Sequence, residues 1–237
     1  MATVWSSVTK EAGIVLSNGG LTALCGAAHT YSPGACDTFI TAGQLIYFEV
    51  HLDVLSQLGA TAVGIANASN SYALGQYLGR SNNSIGYFDD GTLIRNDVTL
   101  ATFTVPVVGD TIGVAVKSGD KAWFRLNGVW QSGDPNTLTG GTDISTLGDV
   151  NPAYSVVGTV VETRNTANFG ATALQSAKPT GFSTLDTVPV PPTPPAAPTG
   201  GGPALYPKRH WLTEAGVAQK RRDEEEEDAL ATLLMLQ

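Results

Sequence analysis

The sequence predicts an all-β protein built as an antiparallel β-sandwich, and two observations carry that prediction. From Gly43 to Gly170, short β-branched and aromatic runs are separated by Gly, Asn and Asp, and helical periodicity is absent. Charged residues make up only 14% of the chain, against roughly 25% in an ordinary globular protein. A surface rich in Ser, Thr, Asn and Gly suits many strands joined by turns.

Eight strands are expected within this block. They are Leu45 to Val54, Thr61 to Ala66, Ser84 to Phe88, Thr92 to Arg95, Thr111 to Val116, Lys121 to Leu126, Tyr154 to Val161 and Glu162 to Phe169. Asp89-Asp90-Gly91 and Leu126-Asn127-Gly128 contain residues that tolerate positive φ, so each predicts a tight hairpin. Before the block, one strand is expected in Thr3 to Val15, and Asn18 to Gly34 is expected to be a Gly- and Ala-rich loop.

The C-terminal part of the chain changes composition twice. The sandwich is expected to occupy residues 1–186. Residues 187–204 contain VPVPPTPPAAP and a Gly-rich end, which predicts an extended polyproline spacer with a hinge, because proline cannot join a sheet ladder or a helix interior. Residues 205–237 are expected to be a docking segment, helical from about residue 213, where helix formers dominate and Pro is absent.

Leucines at the end of this docking segment are the predicted contact with a partner. Leu230, Leu233 and Leu234 share one helical face, and Leu236 follows them. An isolated helix of this length is marginal in water, so its apolar end needs a surface to pack on. The acidic run Asp223 to Asp228 is interpreted as a solvated face.

Net charge and cysteine content exclude several classes of protein. The formal charge of −8 is negative in both the sandwich and the tail, which disfavours nucleic acid as a partner. The first residues lack the apolar run of a secretory signal, and no stretch reaches the roughly 20 apolar residues of a membrane span. Synthesis in the cytosol is therefore expected, with Cys25 and Cys36 as free thiols rather than a disulfide.

The strand block carries motifs in the order found in one family. The motifs are Tyr47-Phe48-Glu49-Val50, Val63-Gly64-Ile65-Ala66, Gly86-Tyr87 with Asp90-Gly91, Gly109 to Ala115, Trp123 to Trp130 and Asn168-Phe169-Gly170. Over about residues 40 to 185 the chain resembles SPRY domains, which belong to the concanavalin A-like lectin and glucanase class. The resemblance implies a jelly-roll sandwich that binds ligands without catalysis. In the same residues, Trp123 and Phe124 are expected on opposite faces, and Phe169 in the core.

A second resemblance concerns the loop from Trp130 to Asp149 and the tethered tail. Both resemble features of phage-encoded virion structural proteins. This implies a capsid decoration, head-fibre or tail-associated protein that is made in the host cytoplasm and located in the virion. Its partners would be other virion proteins and a host surface glycan, and display on a particle suits a homo-oligomer. The alternative function is an intracellular SPRY-type adaptor that binds a peptide.

Glu49, His51 and Asp53 alternate along one strand and therefore face the same way. Sandwich-fold glycoside hydrolases use Glu-x-Asp-x-x-Glu, whereas this sequence reads Glu-x-His-x-Asp and has Leu55 or Ser56 in place of the final Glu. The acid and nucleophile pair is not assembled locally, and a solvated strand face is expected instead. No nucleophile elbow, phosphate loop or dinucleotide fingerprint is present. No enzyme activity and no cofactor are expected, with a hydrolase relative as the remaining alternative.

Acidic and amide residues that flank the predicted strands Ser84 to Phe88 and Thr92 to Arg95 could also supply oxygen ligands to calcium. They are Asp89, Asp90, Asp97, Asn82, Asn83 and Asn96. Turn chemistry explains the same residues, so no metal site is predicted.

Loop residues with aromatic, amide or charged side chains are the predicted ligand-binding candidates, because such residues suit sugar stacking or peptide contact. They are Tyr72, Tyr77, Arg80, Asn82, Trp130, Gln131 and Asp134. They are expected at one end of the sandwich, with Trp130 as the first choice or else as a core residue after its hairpin.

Overall fold

The structure, a computed structural model, describes residues 2–159 and 161–187. Two antiparallel sheets enclose one apolar core, which confirms the predicted sandwich. The seven-stranded first sheet has the order β1 (Trp5–Lys10), β4 (His29–Cys36), β16 (Asn151–Gly158), β6 (Ala62–Ala66), β7 (Ser84–Phe88), β8 (Thr92–Arg95) and β9 (Val98–Thr102).

The second sheet contains β5 (Leu45–Val54), the longest of the described strands. Its order is β12 (Val129–Trp130), β11 (Lys121–Leu126), β10 (Thr111–Lys117), β5 (Leu45–Val54), β17 (Thr163–Asn168), β3 (Thr22–Cys25) and β2 (Ile14–Ser17). A short strand, β15 (Thr142–Asp143), also pairs with β11, and β13 (Gly133–Asp134) forms a hairpin with β14 (Thr139–Gly140). Two 3₁₀ turns complete the described elements, Asn18–Gly20 and Leu185–Thr187.

Alternation along the strands decides which side chains enter the core. On β11, Phe124 packs into the space between the sheets while Trp123 packs on the outer face of the second sheet, as predicted. Phe169 is 1% exposed in the core. Gly170 follows it with φ of 109°, and a side chain there would collide with Thr184. The glycine is therefore required for the chain to pass close to its own later segment.

The N-terminal third differs from the sequence prediction. The expected loop from Asn18 to Gly34 is wrong, because it contains β3 and most of β4. The single strand expected in Thr3 to Val15 is two strands, β1 and β2. Strand β9 was not predicted, and the strands expected at Tyr154 to Val161 and Glu162 to Phe169 are Asn151–Gly158 and Thr163–Asn168.

Glycine explains the largest of these errors. Gly34 lies in β4 opposite Tyr154 of β16, and a Cβ on Gly34 would come 2.5 Å from the Tyr154 ring carbon that bears the hydroxyl. This glycine makes room for a core aromatic inside a strand, which is a packing role rather than a turn.

The first and last chain segments of the sandwich lie next to each other. The backbone N–H of Thr3 donates to Asp186 Oδ1 at 2.6 Å. Cys25 and Cys36 are both buried free thiols. No helix in the described residues is long and apolar enough to cross a membrane. The predicted spacer, the helix from residue 213, its leucines and the acidic run lie outside the described residues.

Candidate functional site

The predicted ligand-binding residues fall into groups on opposite sides of the sandwich. Tyr72 and Tyr77 pack on the outer face of the first sheet, and Arg80 is exposed beside them. Trp130 packs on the outer face of the second sheet. The structure therefore does not bring the candidates together at one end.

The other three candidates, Asn82, Gln131 and Asp134, lie in turns or near the edge strands of the two sheets. Asn82 lines a cleft of about 730 Å³ between β9 and the loop that follows β12. Gln131 Oε1 accepts a hydrogen bond from Thr104 N at 3.0 Å. Asp134 Oδ1 accepts hydrogen bonds from the backbone and side chain of Asn136 at 2.9 and 2.8 Å. Gln131 and Asp134 thus stabilise local backbone structure.

The first sheet carries an aromatic surface that we call the tyrosine face, defined by Tyr31, Tyr72, Leu74, Tyr77 and Arg80. The three tyrosines are half-buried, whereas Leu74 is 57% exposed and Arg80 is also exposed. The rings of Tyr31 and Tyr77 lie 4.8 Å apart, and the Arg80 guanidinium lies 5.7 Å from the centre of the Tyr77 ring. Aromatic side chains with one polar end are common in binding surfaces.

Small residues on the outer face of the first sheet let the loop from residue 67 to 83 lie flat against it. A Cβ on Gly86 would come 2.7 Å from Leu78 Cβ, so the glycine provides the space that Leu78 fills. The loop backbone is then anchored by hydrogen bonds from Leu78 N to Ser155 Oγ at 3.3 Å and from Gly79 N to Ser84 Oγ at 2.9 Å. This anchoring holds the tyrosines in place.

Hydrogen bonds and burial fix the protonation of these tyrosines. The Tyr77 hydroxyl donates to Asp97, which raises the pKa of Tyr77 to about 12. Burial raises the pKa of Tyr72 to about 12. The Tyr31 hydroxyl donates to Gly59 O at 2.7 Å, and burial raises the pKa of Tyr31 as well. All three hydroxyl groups are therefore neutral at physiological pH, and the Tyr72 hydroxyl is itself buried.

The outer face of the second sheet contains a buried ion-pair cluster formed by Tyr47, Glu49 and Arg125. Glu49 is 3% exposed and Arg125 is 4% exposed, with Arg125 Nη2 to Glu49 Oε1 at 3.2 Å. Tyr47 donates its hydroxyl hydrogen to Glu49 Oε1 at 2.6 Å. The backbone N–H groups of Gln175 and Ser176 donate to the same carboxylate at 2.7 and 3.1 Å.

Aromatic rings and carbonyl oxygens surround the guanidinium of this cluster. The Arg125 Cζ atom lies 4.3 Å from the Tyr47 ring centre and 4.9 Å from the Trp130 ring centre. Arg125 also donates to Ala177 O at 2.9 Å and to Ser176 O at 3.0 Å. The ion-pair cluster therefore binds the segment around residues 175–177 to the outer face of the second sheet. The Trp130 ring packs over the Arg125 guanidinium.

A glycine on the central strand makes the ion pair possible. Gly113 of β10 is paired with both Glu49 of β5 and Arg125 of β11. A Cβ on Gly113 would overlap the Tyr47 hydroxyl and come 2.7 Å from Arg125 Nε. The sequence motif Gly-Asp-Thr-Ile-Gly therefore serves this cluster as well as the strand.

The predicted solvated face of Glu49, His51 and Asp53 is wrong for Glu49, which is buried and ion-paired because a distant segment covers it. The two other side chains are half-buried. His51 Nδ1 lies 3.0 Å from Thr111 Oγ1, and Asp53 Oδ2 accepts a hydrogen bond from Thr166 Oγ1 at 2.7 Å.

The acidic residues considered for calcium have separate hydrogen-bonding roles. Asp97 accepts from Tyr77, Asp90 Oδ1 accepts from Thr92 N at 2.9 Å, and Asp89 holds the backbone of residues 60 and 61. Within residues 2–159 and 161–187, no group of three or more His, Cys, Asp or Glu side chains is placed to share a metal ion.

Comparison with known proteins identifies the fold. No family model and no curated protein sequence matches the chain. The SPRY domain of human HERC1 superimposes with a TM-score of 0.57 at 14% sequence identity, covering 71% of this chain and 99% of that chain. The protein has a SPRY-like fold.

Other solved structures agree on this architecture. The TRIM65 PSpry domain gives a TM-score of 0.52 at 13% identity and covers 71% of this chain and 90% of that chain. Stonustoxin gives 0.50 at 16% identity, covering 71% of this chain and 27% of that chain. At these identities the SPRY-like fold is shared, and the choice of ligand has to be argued from this chain's own residues.

Two features of the SPRY-like domain are not predicted from the sequence. Tyr31 lies in the segment predicted as a loop, although its alternation with Pro33 and Ala35 on β4 is the signal that places it on the outer face. Arg125 lies within the motif from Trp123 to Trp130, and no role is predicted for it. A charged residue between Phe124 and Leu126 on a strand expected to be buried indicates a paired ion, since lone buried charges are costly.

Proposed function

We propose that this protein is a non-enzymatic binding module that recognises a segment of a protein partner on the tyrosine face. The observation that carries the proposal is the arrangement of three half-buried tyrosines with an exposed Leu74 and Arg80, held in place by anchored backbone. Tyrosine and arginine contribute heavily at protein interfaces. Loops supported by a rigid sheet are also common sites of binding.

The proposal is tested by probing peptide and glycan arrays with the full chain and comparing two matched variants. Leu74→Lys places a charge on the tyrosine face, and Val129→Lys places one on the opposite side, where Val129 is 66% exposed. Leu74→Lys is expected to weaken peptide binding by about tenfold or more, and Val129→Lys to leave it unchanged. Equal loss in both variants, or binding to glycans alone, would contradict a protein partner at this face.

The absence of catalysis is part of the same proposal. The Glu49 carboxylate is held by a guanidinium, a phenol and two backbone amides, so it is not free to act as an acid or nucleophile toward a sugar. A reducing-sugar assay with a panel of polysaccharides is expected to show no turnover. Turnover that Glu49→Gln removes would overturn this assignment.

The virion role implied by the loop and tail resemblance is retained as a further proposal. It places the SPRY-like domain on a phage particle, anchored through Leu230, Leu233, Leu234 and Leu236. Deleting residues from 188 onward is expected to abolish incorporation while the circular dichroism spectrum of the sandwich persists. A truncated protein still bound to purified particles would exclude anchoring by the tail.

A further inference from the structure

A small apolar pocket lies where the inter-sheet space opens, at the end of the sandwich marked by the loop between β5 and β6 and the loop between β9 and β10. It has a volume of about 290 Å³. Its lining is aliphatic except for Gln57 and one charged residue, Asp89. The aliphatic lining is supplied by Leu55, Leu58, Pro106, Val107 and Val108. We call it the Asp89 pocket.

The mouth of the Asp89 pocket is unusually apolar for a protein surface. Leu58, Val107 and Val108 are 69%, 58% and 57% exposed, and nearby Val105 is 46% exposed. Contiguous apolar residues of this kind mark contact sites in soluble proteins more often than scattered single ones do. A ligand with an apolar part would remove this surface from water.

The carboxyl group of Asp89 is only half satisfied. Asp89 is 1% exposed, and its Oδ1 atom accepts hydrogen bonds from Ala60 N at 2.9 Å and Thr61 N at 3.2 Å. Oδ2 is buried and accepts no hydrogen bond from the described residues, and the Thr61 hydroxyl oxygen has no hydrogen-bond partner among them either. The Gly59 amide favours the ionised form without reaching hydrogen-bond geometry with Oδ2. Two buried acceptors thus lie on neighbouring residues.

Burial raises the pKa of Asp89 to about 6, against the opposing effect of the backbone hydrogen bonds. The carboxylate is therefore mostly ionised at pH 7 but lacks a counter-ion in the described structure. This differs from Glu49, which has Arg125. A buried carboxylate of this kind gains most from a cationic donor that replaces the lost hydration.

The chemistry of the occupant follows from the number of free oxygens. A guanidinium binds best when both carboxylate oxygens are available, but Asp89 Oδ1 is already occupied by two amides. An ammonium is a point charge with three donors, so it can bind through the single free oxygen. A methylene stem suits the aliphatic walls, and the volume lies at the small end of ligand sites.

We propose that the Asp89 pocket binds a primary ammonium group on an apolar stem, the chemistry of a lysine side chain presented by a protein partner. The ammonium donates to Asp89 Oδ2 and the stem lies against Leu58, Val107 and Val108. The lining of this pocket shares no residue with the tyrosine face, and the two surfaces adjoin where the Tyr31 hydroxyl donates to Gly59 O.

The test is an NMR titration of the ¹⁵N-labelled full chain with n-butylammonium, and with n-butanol as the uncharged probe of similar shape. Butylammonium is expected to shift the amides of Gly59, Ala60 and Thr61 saturably and to bind about tenfold tighter than butanol. Asp89→Asn is expected to reduce butylammonium to the affinity of butanol. Asp120→Asn, which makes the same charge change in the β10–β11 turn, is expected to have no effect.

Equal affinity for the two probes, no saturable shift, or charge selectivity that survives in Asp89→Asn would each overturn the proposal. Should Asp89→Asn fail to fold, the pH dependence of the native chain decides. Butylammonium binding is then expected to weaken as Asp89 is protonated below pH about 6, with butanol binding unchanged. Asp90 and Tyr31 are the other titratable groups that interact with this carboxyl, and the same pH dependence in Asp90→Asn excludes Asp90 as its source.

Discussion

Glu49, on the outer face of the second sheet, and Asp89, at the end of the inter-sheet space, are both almost completely buried, at 3% and 1% exposure. Their surroundings differ. The Glu49 carboxylate has a guanidinium, a phenol and two amides around it, whereas Asp89 has two amides on one oxygen. Burial alone therefore does not indicate a functional carboxylate, and a carboxylate oxygen without a hydrogen-bond donor beside an apolar surface is the stronger indication of a binding site.

The largest effect is expected from removing the cation of the ion-pair cluster. Arg125→Met leaves the Glu49 charge buried and unpaired, so we expect the free energy of unfolding to fall by about 3–5 kcal/mol. Urea denaturation followed by fluorescence measures it. Arg164→Met is the matched control, because the Arg164–Glu162 pair is exposed and is expected to contribute at most about 1 kcal/mol. Similar losses in both variants would show that the buried pair is not special.

The second prediction concerns the pH dependence of stability that Asp89 causes. Its pKa is raised from 3.8 to about 6 in the folded protein, so the folded state holds more protons than the unfolded state between these values. The contribution of Asp89 to the free energy of unfolding is therefore fully present below pH about 4. It is lost as the pH rises through about 6, and the loss amounts to up to about 3 kcal/mol.

Asp89→Asn does not titrate and keeps an oxygen for the Ala60 and Thr61 amides. We therefore expect its stability relative to the native chain to increase from pH about 4 to pH about 7, by up to about 3 kcal/mol. Unfolding curves of both proteins at the two pH values measure this difference. A difference that is the same at both values would mean that Asp89 has an ordinary pKa.

The third prediction tests the space that the ion-pair cluster needs. Gly113→Ala forces Tyr47 or Arg125 to move, and we expect a loss of about 1–3 kcal/mol in the free energy of unfolding. Gly26→Ala is the control, because nothing lies within 4 Å of a Cβ at Gly26. A neutral Gly113→Ala would show that the cluster repacks without cost.

The smallest effect is expected on the tyrosine face. Tyr77→Phe removes the hydroxyl that donates to Asp97, at the edge of the surface, and we expect a loss of about 0.5–1.5 kcal/mol in thermal or urea unfolding. Removal of the raised phenol pKa should be visible as one fewer tyrosine titrating near pH 12 in the ultraviolet spectrum. A larger loss than that of Gly113→Ala would mean that the tyrosine face contributes more to stability than the space around the ion-pair cluster does.

The strands in the middle of the chain were predicted well from the sequence, and those at its beginning were predicted poorly. The bounds of β5, β7, β8 and β11 were predicted without error, because these strands are β-branched and aromatic runs that end at turn residues such as Asn127. Strands β3 and β4 were missed because their glycines and alanines match a loop composition. In the structure such residues leave space for a facing ring, as Gly34 does for Tyr154.

The candidate site was only partly predictable for a related reason. Tyr72, Tyr77 and Arg80 lie together because they belong to one loop. Trp130 is on the opposite side, and local sequence does not show over which face a loop will fold. Glu49 was expected in solvent because its cover, the segment around Gln175, is 126 positions away and has no strong pattern of its own.

The hydrogen bond between Thr3 N and Asp186 Oδ1 has a consequence for engineering. Because the sandwich begins and finishes at one place, a short linker could join these residues while new ends are opened in the exposed turn at Gly119. Such a circular permutant should keep the same strand pairing. The same closeness of ends would also let the domain be inserted into a surface loop of an unrelated carrier protein.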